Sequence, residues 1–328
     1  MENKVLNTRI RLARNLRDFP FPPAMTYALS HQFLENMMLW VNTEGLSYDY
    51  KAIRLNALDL EDRLALFHRH LISSDFLENT LSRGLILSSD QTMSIMINEE
   101  DQLRIQVLKS GYHLLRALDE ALAVHRQIEK AFDLAFHDRF GYLTACTTNV
   151  GTGMRASVQL HLPGIALSKD ADHLIQSFTQ LGIELRGTYG ERSEVFGDVY
   201  QVSNRRTLGV SEEQIIRELD QVVGMLLKTE NVARQRYILG EPLMEDKMYR
   251  AMGIIRYAKR LGYKEAFDLV SLVRLGSELS LKDFPDLLII DDALEALKAQ
   301  IAMHHIQHED HLSASRATIM KRILFGEV

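Results

Sequence analysis

The sequence predicts an α+β protein: a mixed strand-and-helix domain over residues 1–235, then a small all-helical domain over residues 236–328. Three observations carry that prediction. In the front part of the chain, apolar residues switch repeatedly between a period of two and a period near that of a helix, the spacings of strands and helices. Beyond about residue 235 the period of two nearly vanishes. Hydrophobic residues make up 46% and charged residues 25% of 328, which suits a globular chain with a sizeable core.

The elements follow in order. Residues 32–41 read as a helix with Phe33, Met37 and Leu39 among its apolar positions, and residues 60–72 read as another. Leu85, Ile86 and Leu87, then Met93, Ile95 and Ile97, predict two short strands around a turn at 88–90. Residues 103–130 return to helical spacing. Val158, Leu160 and Leu162 alternate with Ser157, Gln159 and His161, the pattern of a half-buried strand. Val199 and Val202 mark a further strand. Residues 244–259, 264–272 and 291–305 read as helices, with Gly262 and Pro285 as breaks and Met244, Met248 and Met252 as a core stripe.

Bulk properties exclude several classes. A net charge of −6 argues against a generic binder of nucleic acid or anionic membrane. Cys146 is the single cysteine, so no intrachain disulfide forms. No apolar run approaches the roughly 18 residues of a membrane span, and residues 1–17 lack the apolar core of a signal peptide. The expectation is a cytoplasmic protein with no direct nucleic-acid or membrane partner. No phosphate-binding P-loop occurs, Gly151-Thr152-Gly153 lacks the rest of a dinucleotide fingerprint, and neither the H-R-D and D-F-G pair nor G-x-S-x-G is present.

Arginines at element ends stand out instead. Arg9 and Arg11 are two residues apart and would share one side of an extended segment. Asn98-Glu99-Glu100-Asp101 ends an apolar strand and is followed closely by Arg104. Residues 146–155 form a polar, glycine-containing turn ending in Arg155, and Arg186-Gly187-Thr188-Tyr189-Gly190-Glu191 forms a second. Converging guanidinium groups would suit a polyphosphate, because each can bind phosphate oxygens through two parallel hydrogen bonds. Spacing alone does not show that they converge. Taken singly, each arginine could be a solvated surface residue.

These blocks resemble, in order and spacing, those of the phosphagen (guanidino) kinase family, and most closely its bacterial McsB-type protein-arginine kinases. The matching blocks are T-R-I-R-L-A-R-N from Thr8, N-E-E-D from Asn98 with Leu103-Arg104-Ile105, C-T-T-N-V-G-T-G-M-R-A-S from Cys146, and R-G-T-Y-G-E from Arg186. The resemblance implies an antiparallel sheet flanked by helices, of the glutamine-synthetase-like kind, ahead of a helical docking and dimerisation domain. It implies ATP and Mg²⁺. Arg9, Arg11, Arg104, Arg155 and Arg186 would hold the ATP phosphates, within a nucleotide site that also takes in Asn7, Thr8, Ile10, Ala156, Ser157, Val158, Gln159, Gly187, Thr188, Tyr189, Gly190 and Glu191. His70 matches a nucleotide-contacting histidine; its alternative is a surface histidine at a helix end. Glu100 and Glu191 would hold the substrate guanidinium, with Cys146 beside it as a thiolate; the alternative for Cys146 is an inert buried cysteine. Arg155 would also act in catalysis.

The same resemblance bears on substrate and partners. Relatives that act on small free guanidines carry a helical domain ahead of the T-R-x-R block, which here begins at residue 8. That implies an open site suited to arginine side chains exposed on other proteins. A kinase of a free guanidino compound, and a catalytically weak regulator that binds arginine or phosphoarginine, are the alternatives. An activator protein, protein-quality-control machinery and a homodimer are the further partners implied. Three departures stand out. Gln102 replaces a histidine after N-E-E-D, and Thr147 replaces a proline after the cysteine. In the tail, an R-D-x-x-R-A element that binds phosphoarginine keeps only Arg316 and Ala317, so phosphoarginine sensing there is not expected. His304, His308 and His311 have a spacing that could hold Zn²⁺ on one helix face; the reading here is unliganded histidines and no resident metal.

Overall fold

The structure, a computed structural model, describes residues 2–43, 45–46, 49–168, 174, 177–178, 182–187, 195–303 and 309–327. Its strands are β1 (Val5–Arg14), β2 (Tyr50–Arg54), β3 (Gly84–Ser88), β4 (Met93–Ile97), β5 (Leu103–Ser110), β6 (Phe136–His137), β7 (Gly141–Tyr142), β8 (Met154–His161), β9 (Ile183–Gly187) and β10 (Val199–Asn204). Its described helices are α1 (Tyr27–Thr43), α2 (Leu60–His68), α3 (Asp75–Glu78), α4 (Leu114–Ala131), α5 (Pro163–Leu167), α6 (Glu212–Tyr237), α7 (Pro242–Tyr257), α8 (Tyr263–Glu278), α9 (Leu287–Met303) and α10 (Glu309–Phe325). The chain divides into two compact units. One holds Asn7–Ser157 and Ser203–Asp220; the other holds Met1–Leu6, Val158–Val202 and Gln221–Val328.

The first unit is built on strands in the order β2-β3-β4-β5-β1, every neighbouring pair antiparallel. On β1 the buried Thr8, Ile10, Leu12 and Arg14 share one face and the half-buried Arg9 and Arg11 the other, as the period of two requires. Helix α4 packs against β5 and buries Leu114, Ala117, Leu118, Ala121, Val124, His125 and Ile128, a stripe at three- and four-residue spacing. Asp59 caps α2 by accepting from the Asp62 backbone N–H at 2.8 Å. The helix stops well short of residue 72 because His70 takes a left-handed conformation, φ 57°. Leu71 and Ile72 then turn into a core with Leu55, Phe76, Leu85, Leu87 and Met96.

Two sequence readings are corrected here. Residues 103–110 are strand, not the start of a helix: Leu103, Ile105 and Val107 alternate, and their backbone pairs with β4 on one side and β1 on the other. Helix resumes only after Gly111, φ 76°. The strand at 156–162 is buried on both faces rather than one, because its polar side is covered as well. His161 meets Ser271 Oγ at 2.9 Å and Glu278 Oε1 at 3.0 Å, both on α8.

The second unit holds β9, β8 from Val158 onward and β10 as far as Val202, in the order β8-β10-β9, with the carboxy-terminal helices. Helix α8 packs on α7 and α9, and α10 on α9 and α7. Their shared core includes Ile255, Phe267, Val270, Leu294, Leu297 and Met320. Met244 and Met248 are buried with Ile238 and Leu275, and Met252 packs on the larger core, as the stripe predicted. A buried ion network ties these elements together. Glu278 meets Arg234 at 2.6 Å and Arg274 at 3.0 Å, Arg274 also pairs with Asp291, and Glu230 meets Arg234 at 2.5 Å. Glu230 also accepts the first backbone N–H groups of α5, from Gly164 at 2.9 Å and Ile165 at 2.8 Å. No described helix is long and apolar enough to cross a membrane.

Candidate active site

The first unit contains a cavity of about 300 Å³ lined by residues from four segments: Arg11 and Ala13, Glu99 to Asp101 with Arg104, Cys146 with Thr148 and Asn149, and Gly153 with Arg155. Strand pairing explains the first convergence. Ala13 lies directly opposite Arg104, and Arg11 opposite Gln106, so Arg9, Arg11 and Arg104 share one face of the sheet. The Gln106 side chain donates to the His70 carbonyl, which seats His70 beside the same face. His70 itself does not line the cavity.

A tight turn presents the acidic run. Asn98 is left-handed, φ 59°, and its backbone N–H donates to the Gln102 carbonyl at 2.9 Å. Its side chain anchors the turn by donating to the carbonyls of Ser30 at 2.9 Å and Ser82 at 2.7 Å. The three carboxylates then diverge in environment. Glu99 pairs with Arg104 at 2.7 Å. Burial pushes its carboxyl up, but Arg104, the Glu100 backbone N–H and Ser73 outweigh that and hold it below the ordinary range. Asp101 is buried and accepts from Asn15 Nδ2 at 2.7 Å and the Ala145 backbone N–H at 2.6 Å; burial raises its carboxyl. Glu100 is exposed, and among the described residues its carboxylate has no hydrogen-bond partner.

The Cys146–Arg155 segment forms the opposite wall. Cys146 is half-buried, with Sγ 3.1 Å from Thr148 Oγ1 and its carbonyl accepting from Thr144 Oγ1 at 2.7 Å. Arg155 donates from Nε to Asn149 Oδ1 at 3.2 Å, and from its terminal nitrogens to the carbonyls of Asn204 at 2.8 Å and Thr148 at 3.4 Å. Those bonds hold the guanidinium at the cavity wall. Ala13 N–H donates to the Gly153 carbonyl at 2.9 Å. Gly153 has φ +64°, and a Cβ there would sit 2.6 Å from Arg14 Nη1 and 2.7 Å from the Ala13 carbonyl, so only glycine fits.

The other predicted residues are placed as follows. Asn7 is half-buried on β1. Thr8 and Ile10 are buried on the face of β1 away from Arg11; Thr8 Oγ1 donates to the Gly111 carbonyl at 2.7 Å and accepts from His113 N–H at 3.0 Å. Ala156 and Ser157 are buried on β8, with Ala156 N–H donating to Asn204 Oδ1 at 2.8 Å. In the second unit, Val158 and Gln159 are buried on β8 and Arg186 is exposed on β9 just before Gly187. Thr188, Tyr189, Gly190 and Glu191 lie outside the described residues, as do His304 and His308 of the histidine run. Among the described residues no cluster of histidine, cysteine or carboxylate could hold a metal ion.

Sequence reasoning did not assign roles to Asp101, Asn15 and Gln102, though all lie in or beside matching blocks. Gln102 Oε1 accepts from Leu16 N–H at 2.7 Å and its Nε2 donates to the Pro20 carbonyl at 2.9 Å. The glutamine that departs from the family pattern is therefore a bracket for the end of β1. In the tail, Arg316 is buried, donating to Gln300 Oε1 at 2.9 Å and the Leu261 carbonyl at 2.6 Å.

Three guanidinium groups around one cavity can hold a polyphosphate, and a carboxylate at the same cavity can hold a cation. The C-terminal catalytic domain of the ATP:guanido phosphotransferases matches residues 32–233. Among solved structures, a lombricine kinase superposes with TM-score 0.63 at 26% identity, covering 73% of this chain and 70% of that one. The duplicated taurocyamine kinase of Schistosoma mansoni gives 0.64 at 26% identity, over 80% of this chain and only 39% of that longer one. Fold and cavity thus define an ATP-using guanidino phosphotransferase with an antiparallel sheet and flanking helices. The C-terminal domain of the protein-arginine kinase McsB matches residues 241–324. The protein-arginine kinase of Clostridium tetani is 40% identical over 278 residues, 84% of this chain and 81% of that one. That of Halalkalibacterium halodurans is 42% identical over 283 residues, 84% of this chain and 78% of that one. The chain belongs to the protein-arginine kinases of the ATP:guanido phosphotransferase family.

Proposed function

We propose that this protein transfers the γ-phosphoryl group of ATP to the guanidinium of arginine side chains in other proteins, giving phosphoarginine and ADP. The observation that supports it is the cavity itself, which Arg11, Arg104 and Arg155 line together with Glu100, whose carboxylate has no hydrogen-bond partner among the described residues. Arg11, Arg104 and Arg155, with Arg9, Arg186 and His70, hold the phosphates. Mg²⁺ arrives as part of the nucleotide substrate, its ligands mostly phosphate oxygens and water.

An arginine guanidinium keeps its proton to above about pH 12, so its nitrogen is a poor nucleophile. Glu100 and Glu191 align it and take up a proton as the nitrogen attacks. Cys146 orients it from the side. The N–P bond forms as the bond from Pγ to the β–γ bridging oxygen breaks, and the arginines offset charge on the transferring group. Transfer is direct, with no phosphoenzyme. Residues 1–235 supply the catalytic domain and 236–328 a docking and dimerisation domain. The setting is cytoplasmic, with an activator protein and protein-quality-control machinery as partners.

Incubation with MgATP and either an arginine-rich protein or free arginine tests the reading. Acid-labile phosphate on protein supports it; transfer to free arginine alone, or no transfer, overturns it. Glu100→Ala should lower kcat/KM by about 10²–10⁴-fold, and a normal rate in that variant would remove Glu100 from the role given to it.

A further inference from the structure

On the face of β1 opposite Arg9 and Arg11, Arg14 is fully buried. Its Nε donates to His125 Nδ1 at 3.3 Å. Its Nη1 donates to two carbonyls, Ala13 at 2.8 Å and Thr152 at 2.9 Å. Its guanidinium carbon lies 3.6 Å from the centroid of the Tyr142 ring. Among the described residues no carboxylate forms an ion pair with it. A buried cation without a direct ion pair is expensive to keep, and burial outweighs the more distant charges of Glu212, Glu129 and Asp101 and pulls Arg14 down to about 10. The two carbonyls it grips, on β1 and on the turn before Arg155, supply a geometric reason for its presence.

His125 and Tyr142 hold Arg14 in place. With Nδ1 accepting from Arg14, the neutral imidazole carries its proton on Nε2 and donates it to the Tyr142 oxygen, 2.8 Å away. The Tyr142 hydroxyl donates onward to Glu129 Oε1 at 3.2 Å. Burial, then the charges of Arg14 and Arg126, bring His125 down to about 3, so the accepting lone pair persists near neutral pH. The Tyr142 backbone also pairs with Gly151 in both directions, at 2.8 and 3.2 Å. On the turn itself, Thr152 N–H donates to the Thr207 carbonyl at 3.0 Å and Thr152 Oγ1 accepts from Met154 N–H at 3.2 Å. The Thr152–Gly153 peptide is therefore gripped along its length, and Arg155 follows two residues later.

We propose that Arg14, seated on Tyr142 and His125, is a positioning residue for phosphoryl transfer: by holding the Thr152 carbonyl it sets the turn through Gly153 and so the place of the Arg155 guanidinium in the cavity. A planar guanidinium can donate to two carbonyls and an imidazole at once and stack on a ring, which an ammonium cannot. The inference rests on the reading of Arg155 as a phosphate-holding residue.

A double-mutant cycle tests both and separates them. Arg14→Lys and Tyr142→Leu should each lower kcat by about 10- to 100-fold, the scale of a misplaced catalytic group, while the KM for an arginine-bearing protein stays within about twofold. Tyr142→Phe, which keeps the ring, should recover most of the loss, and His125→Gln should lose less than Tyr142→Leu. Tyr142→Leu combined with Arg155→Lys should cost little more than Arg155→Lys alone, because both act on one guanidinium. Multiplying losses, or a folded Tyr142→Leu variant with normal kcat, overturns the inference. If Arg14→Lys fails to fold, the Tyr142 and His125 variants decide. An Arg155→Lys variant with unchanged kcat overturns the reading of the cavity instead, and the inference falls with it.

Discussion

Each of the two units buries arginine, and each accommodates the charge differently. In the first, Arg14 has two carbonyls, a neutral imidazole and an aromatic face, and no ion pair among the described residues. In the second, Arg234 and Arg274 meet Glu230, Glu278 and Asp291. Desolvation penalises both arrangements. Only the second offsets it with direct ion pairs among the described residues, so it behaves as a stability network: remove one member and the others lose a paired charge. The first is weaker as a support and more exacting in geometry, since carbonyls accept along defined directions. A charge used to place a peptide and a charge used to tie helices together therefore look different in their partners.

The largest expected effect breaks the second cluster. Glu278→Ala takes from Arg234 and Arg274 the carboxylate they share, leaving Arg234 with Glu230 and Arg274 with Asp291, and should lower stability by about 3–5 kcal/mol in urea titration. Arg14→Met should cost less, about 1–3 kcal/mol for the hydrogen bonds it removes. If Arg14→Met proves the more destabilising, the contrast is wrong.

Acid distinguishes the units next. Burial alone would raise the Glu278 carboxyl, but His161, Arg234 and Arg274 bring it down to about 2 from 4.5. Its folded value lies below its unfolded value, so its contribution is complete above about pH 4.5 and is lost as pH falls towards 2, roughly 3 kcal/mol in all. His125 is lowered from 6.5 to about 3. The unfolded chain therefore takes up that proton first, and stability falls from about pH 6.5 downward, by up to about 1.4 kcal/mol per pH unit from this group. Trp40, the single tryptophan, lies in the unit that holds His125. Its fluorescence in urea titrations at successive pH values should show the earlier loss, and His125→Gln should flatten it between pH 6.5 and 4.5.

Smaller effects sharpen the picture. Gly153→Ala forces a side chain into a left-handed position against Arg14 and Ala13; it should cost about 1–3 kcal/mol and depress phosphoryl transfer beyond that of an equally destabilised Glu278→Gln control. Arg17→Ala removes an exposed pair with Asp133 at 3.1 Å and should change the stability read from urea titration by less than about 0.5 kcal/mol. A larger shift would show that exposed charge matters more here than burial.

How far the site was legible varied residue by residue. Arg9 and Arg11 could be placed on one side of a strand from spacing alone, because side chains alternate. The motif blocks named Glu100, Cys146, Arg104 and Arg155, and pairing of β1 with β5 brought Arg11 beside Arg104. Residues 103–110 were misread because Leu103 and Val107, four apart, also satisfy helical spacing; a period is ambiguous over so short a run. His161 looked like the solvated side of a strand until Ser271 and Glu278, 110 and 117 residues away, were seen to cover it. Asp101 was quoted as part of an acidic run, but its bonds to Asn15 and Ala145 were invisible in the sequence.

By itself, then, the sequence determined the family, the alternation of strand and helix, the helical tail, and the residue types that phosphoryl transfer to a guanidine requires. Those are local patterns or ordered motifs, readable because each depends on near neighbours. Tertiary structure decided which of those residues share a cavity, and which polar groups are buried among partners. It left Glu100 without a hydrogen-bond partner among the described residues where Glu99 is paired and Asp101 is bonded, and it placed Arg14 behind the turn that carries Arg155. Each of these outcomes is set by strand pairing and desolvation between residues far apart in the chain, which no local period encodes.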